Sequence, residues 1–151
     1  MNQLQGMPDI DDPSLYSGQQ FFTYQVSLAT GVTLAPSNST TLTFQIDGQS
    51  DFFWDKACAY VNVANDATTE ANALVPAINI TITDTNNNQP MMNNPVPIAN
   101  IFGTGRLPFI LPIRYIFYNK ATVKMEIANV SDNTTYTRVD LSFIGIKAWL
   151  K

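Results

Sequence analysis

The feature that most constrains this chain is period-two alternation of apolar and polar residues in short runs, each closed by turn-forming residues. Strands with one buried face require that pattern, because successive side chains point to opposite sides of a sheet. Residues 40–46 (TTLTFQI) put Leu42, Phe44 and Ile46 on one face, and 76–83 (PAINITIT) do the same with three isoleucines. Residues 122–127 align Val123, Met125 and Ile127, and 139–143 align Val139, Leu141 and Phe143. Further strands are expected at 20–28, 52–63 and 109–118. Thr30-Gly31, Pro36-Ser37-Asn38-Ser39, Asp47-Gly48, Asn119-Lys120 and Ser131-Asp132-Asn133 separate these runs with residues suited to turns. The expectation is an all-β fold: an antiparallel β-sandwich of about eight strands. Strands 111–118 and 122–128 around Asn119-Lys120 read as a hairpin. The in-facing set changes from Val139, Leu141, Phe143 to Ile144, Ile146, Ala148, Leu150, which predicts a bulge or bend near Gly145. Residues 66–75 offer at most a turn or two of helix.

Residues 1–18 lack either period. They carry Pro8, Pro13, the acidic Asp9, Asp11 and Asp12, and scattered Leu4, Met7, Ile10, Leu15 and Tyr16. The expected organisation is an extended N-terminal arm over 1–18, ordered against a partner, and a β-sandwich domain over 19–151. The longest irregular stretch, 84–97, is rich in Asn and Pro, and its Met91-Met92 pair is expected to meet a neighbouring subunit rather than water.

The composition narrows the chemistry. Charged residues make up 13% of the chain and hydrophobic residues 45%, so uncharged Asn, Thr, Ser and Gln must finish the surface. Copies with so little charge repel one another weakly, which suits a protein packed against others. Six aspartates precede Lys56, the first basic residue, whereas seven Lys and Arg follow Ile101. Head-to-tail contacts could use that polarity, although solvated strand residues are the better explanation. No Lys/Arg run tracks phosphates, so no nucleic-acid partner is expected. No apolar run approaches membrane-spanning length and no leader is evident, so the expectation is a soluble protein made in a reducing cytoplasm, with no membrane partner. The sequons beginning at Asn38, Asn79, Asn129 and Asn133 then read as incidental.

With no histidine and only two glutamates, acid–base chemistry would fall to aspartates. Asp47 sits in an Asp-Gly turn signal and Asp55 in an alternating strand, settings for capping or solvation rather than for paired catalytic carboxylates. Asp84-Thr85-Asn86-Asn87-Asn88 begins like a calcium loop, but the sixth and twelfth positions hold Gln89 and Pro95 where an EF-hand needs Gly and Glu. Gly103-Thr104-Gly105 lacks the third glycine of a dinucleotide motif. Cys58, the one cysteine, reads as a small buried apolar residue. No enzyme, cofactor or metal is expected.

Phe52-Phe53-Trp54-Asp55-Lys56, the segment NIFGTGRLPFILP at 100–112, Asn129-Val130-Ser131, and the closing run LSFIGIK at 141–147 together resemble small structural proteins of tailed-bacteriophage virions. The resemblance covers roughly residues 50–150 and rests on a general pattern of acidic arm, polar sandwich body and a last strand ending in Lys. It implies a capsid decoration or cement protein in the virion: a jelly-roll body, a trimer over a joint of the shell, with the major capsid protein and neighbouring copies as partners. The partner interface is then expected at Leu4, Met7, Ile10, Leu15, Tyr16, Met91, Met92, Phe102 and Arg106. A carbohydrate-binding β-sandwich, or a receptor-binding or tail-associated component, is the alternative. It would need exposed aromatics, Trp54 among them, side by side on one surface.

Overall fold

The computed structural model describes residues 8–64 and 75–151. The expected helical turn at 66–75 falls almost wholly outside them. The described chain forms seven long strands, β1 (Tyr16–Ser27), β2 (Ser39–Gln45), β3 (Ser50–Val63), β4 (Ile78–Asp84), β7 (Phe109–Phe117), β8 (Thr122–Asn129) and β9 (Tyr136–Leu150). Between β4 and β7 lie the two-residue strands β5 (Gln89–Pro90) and β6 (Val96–Pro97) and a single 3-10 turn at Ile98–Asn100. One sheet has the order β1-β9-β3-β7, and the other the order β2-β8-β4-β5, with β6 also paired to β4. All these pairs are antiparallel.

The topology is that of one long hairpin rolled into two layers. β1 pairs with β9, β2 with β8, β3 with β7 and β4 with β5 and β6, working inward from the chain ends. Gln19 faces Ala148 and Thr40 faces Ile127, so both arms advance in step from one sheet into the other. The bridge between Leu34 and Tyr136 keeps them together at the crossing. The alternation pattern led us to expect a sandwich, and this rolled double Greek key is the jelly roll that the resemblance implied.

The two inner faces meet in an aromatic core. Phe143 lies with its ring centroid 4.8 Å from Trp54, 4.9 Å from Phe44 and 5.6 Å from Phe102. Ile78, Ile80 and Ile82 of β4 and Val123, Met125 and Ile127 of β8 close it from the other sheet, all buried as their alternation predicts. The buried Asn129 carboxamide ties the crossing loops: its Nδ2 donates to the carbonyls of Leu34 (2.9 Å) and Thr134 (2.7 Å), and its Oδ1 accepts from the Ser131 N–H and hydroxyl.

Four expectations are corrected. β7 and β8 do not form a hairpin: β7 pairs with β3 and β8 with β2 and β4, so the tight turn at Asn119-Lys120 is an arch between sheets. A turn signal specifies chain reversal, not which sheet receives the next strand. Strand β9 continues without a bend through Gly145, whose Cα keeps step with Phe22. The irregularity lies opposite, in β3 between Trp54 and Lys56, and a side chain at Gly145 would overlap the Phe53 carbonyl there. The stretch 84–97 is folded onto its own sheet, where β5 and β6 form the edge and Met91 and Met92 pack against the core. Finally, β1 begins at Tyr16, so the strand absorbs part of the presumed arm.

Replacing Phe143 by Ala should cost about 3–5 kcal/mol, a large-to-small change in a packed core. Phe21→Ala, on the outer face, should stay within about 0.5 kcal/mol. Urea titrations of both variants check the assignment of faces.

Candidate docking surface

Strand alternation gives each sheet an outer face, and the two differ. On the five-stranded sheet Thr41, Glu126 and Thr81 form one outward row and Thr43, Lys124 and Thr83 the next. That face is polar, as a solvated sheet surface normally is. On the four-stranded sheet Phe21 of β1, Ile146 of β9, Phe53 of β3 and Ile116 of β7 stand side by side in one outward row. The next row holds Thr23, Ile144, Lys56 and Ile110. Apolar residues on β9 therefore alternate onto both faces, and this is the physical cause of the changed set that the sequence reading took for a bend.

Part of this outer surface is covered by the chain's own N-terminal segment. Ile10 packs against Tyr16, Phe53, Ile116 and Ala148, a second small core outside the sandwich. Two turns held by Asp9 and Asp12 carbonyls bring the segment there, and the Gln19 side-chain amide donates to the Ile10 carbonyl at 3.0 Å. The Tyr16 hydroxyl donates to the buried Asp51 carboxylate at 2.8 Å, which also accepts the Asn119 N–H. The described part of the arm is thus ordered by its own sandwich.

Among the described residues nothing covers the rest of the surface. Phe21 at the β1 border is 73% exposed and Ile110 at the β7 border 66%, while Ile144 and Ile146 between them are half-buried. Beside Ile110 the edge is irregular: β7 runs from Ile110 to Tyr115 while β3 advances only from Lys56 to Trp54. Arg114 spans this break, pairing both Asp55 oxygens (2.6 and 3.2 Å) and lying over the Phe53 ring at 5.8 Å. Ile113 in the break is 58% exposed, and Leu107 in the preceding loop 79%. That loop is tight because Gly103, bridged to Cys58, leaves no room for a Cβ against the backbone of Leu107 and Phe109.

Of the residues expected at an interface, Leu4 and Met7 lie outside the described residues. Tyr16 and Phe102 are buried in their own chain and offer a partner no side-chain surface. Met91 and Met92 are half-buried against the core, and the Met92 sulfur accepts the Ile82 N–H at 3.1 Å. Leu15 and Arg106 are exposed, and Ile10 is half-buried beside Tyr16. The sequence reading missed Phe21, Leu107, Ile110 and Ile113. Their signal was adjacent apolar pairs, Phe21-Phe22 and Ile110-Leu111, which must send one member to each face. Trp54 is buried against Phe117 and Phe143, so it cannot stack on a sugar, and the exposed aromatics of this sheet, Phe21 and Tyr60, stand three rows apart, with Tyr118 beyond the end of β7. Cys58 is half-buried on the outer face, not in the core, and burial pushes its thiol pKa up. Both oxygens of Asp84 are engaged, by the Tyr115 hydroxyl and the Asn86 N–H.

Among the described residues no helix is long and apolar enough to cross a membrane. Comparison with protein-family models, curated proteins and solved structures gave no match to this chain.

Burial, followed by the hydrogen bond donated to Asp84, pushes the Tyr115 hydroxyl up to about 12 from its ordinary 10.0. Tyr16 is raised further by burial and its bond to Asp51, and Tyr136 is raised by burial. Folded pKa values above the unfolded one mean stability that is fully present below pH 10.0 and is lost as pH rises through about 12. The urea midpoint should therefore fall steadily across that window, and Tyr115→Phe should flatten the fall. A pH series of titrations checks both.

Proposed function

We propose that this chain is a non-enzymatic structural protein of a tailed-bacteriophage virion, which docks on the major capsid protein and stabilises the shell. The observation that carries the docking is the contrast between the two outer faces, one polar and threonine-rich, the other carrying Phe21, Ile146, Ile144 and Ile110, with Lys56 the one charge among them. A sheet face with exposed Phe and Ile loses contact with water favourably when a partner covers it, at about 25 cal/mol per Å² of apolar area. The low charge of the chain suits permanent packing in an assembly. The virion itself is supported by the resemblance of residues 50–150 described above. Leu15, Arg106 and Leu107 flank the face and extend the contact surface proposed for the capsid.

Co-sedimentation with assembled shells of the encoding phage tests this reading. Ile110→Glu and Ile113→Glu place carboxylates on exposed positions, so the melting temperature should hold while shell binding is lost. Deleting residues 1–7 keeps the described contacts of the sandwich, whereas a deletion to residue 18 would remove Tyr16 from the outer cluster. The shorter truncation should fold normally and bind shells more weakly. Undiminished binding by both glutamate variants would reject the face.

A further inference from the structure

A sandwich has exposed sheet edges, and rows of unpaired backbone N–H and C=O groups there invite pairing with another chain unless they are blunted. Three edges of this molecule are blunted or short. β7 is interrupted by its bulge, with Pro112 and Arg114 inside it. β5 and β6 are two residues each and contain Pro90 and Pro97. β2 is seven residues long and shows Ser39, Thr41, Thr43 and Gln45 outward.

The fourth edge, β1, has none of these protections. It is twelve residues long, contains no proline, and keeps unbroken register with β9 from Gly18 to Ser27. Among the described residues β9 is its only strand partner. From Pro13 to Ile46 the sequence has no Asp, Glu, Lys or Arg, so the edge carries no charge along its whole length. Phe21 stands on this border, the most exposed aromatic among the described residues, with Ile146 beside it on the inner side.

We propose that two copies of this chain join β1 to β1, antiparallel about a twofold axis, to make one sheet across both sandwiches. In such a pairing residue i faces j and j faces i, so a charged strand would meet its own charge near the axis. An uncharged strand is self-complementary, and a second copy is the occupant that this charge pattern fits. The joint brings the outward Phe21 and Thr23 of each copy to the seam, where the partner covers the Phe21 ring. It deepens the reading above in one respect, that copies of this chain meet. An isologous joint closes at two, and here it departs from the expected trimer.

The test uses the purified full-length protein without shells, so its failure leaves shell docking untouched and the converse also holds. Light scattering over a wide concentration range should give a mass twice that of the 16.7 kDa chain. The double variant Phe21→Lys, Thr23→Lys should raise the dissociation constant by at least roughly tenfold, through like charges facing across the axis, with the melting temperature of dilute protein unchanged. Hydrogen exchange on the wild type needs no variant: β1 amides should gain protection as concentration rises, and those of β2 and β7 should not. A monomer at all concentrations, a trimer, or a dimer whose β1 amides exchange independently of concentration would overturn the proposal.

Discussion

Strand β9 is the element on which the rest depends. It lies between β1 and β3, hydrogen-bonded to both, and it carries apolar residues on both faces: Val139, Leu141 and Phe143 inward and, beyond the outward Asp140 and Ser142, Ile144, Ile146 and Ala148 outward. The inward set fills the sandwich and the outward set makes a surface that water solvates poorly. Only two inward positions break the pattern, and each has a local reason. Gly145 admits the Phe53 carbonyl. Lys147, at the end of the sandwich, holds its ammonium 3.9 Å above the Phe22 ring and 3.5 Å from the Asp47 carboxylate. The stem of this lysine is buried while its charge is satisfied by an aromatic face and an acid, which also ties the β2–β3 turn to the first sheet.

The strands were legible because burial on one face writes itself into the sequence at period two. Ile78, Ile80, Ile82 and Val123, Met125, Ile127 needed no tertiary information. What failed depends on partners distant in sequence. Asn119-Lys120 looks like a hairpin turn, yet its strands enter different sheets, and only the pairing of β7 with β3 fixes that. Met91 and Met92 look stranded in a polar loop until β5 and β6 fold them against β4. The outer cluster of Ile10, Tyr16, Phe53 and Ile116 gathers residues from three parts of the chain, so no local pattern announces it.

The same reasoning explains why Ile10 and Tyr16 turn toward their own chain. An arm with scattered apolar residues suggests a partner, but Ile10 and Tyr16 find theirs on the chain's own outer sheet. Covering Phe53, Ile116 and Ala148 in this way, the segment narrows the open apolar surface to Phe21, Ile146 and Ile144 on one side of Lys56 and Ile110 and Ile113 on the other. The contact surface proposed for the capsid is therefore centred on what remains open once Ile10 and Tyr16 have docked, with Leu15 at its border.

Face and edge meet only at Phe21. Pairing along β1 extends the sheet within its own plane, while the outer face looks along the normal to that plane, so the seam covers the Phe21 ring and leaves the rest of the face free. Twofold edge pairing would also place the two apolar strips end to end, meeting at Phe21, and so present a partner with one continuous surface instead of two separate ones. Two weak docking faces rigidly joined bind as a unit, since the second contact forms at the high effective concentration set by the first. Under the proposed function, a small chain with little charge and a half-covered apolar face would gain its grip on a larger assembly in this way without any new side-chain contact.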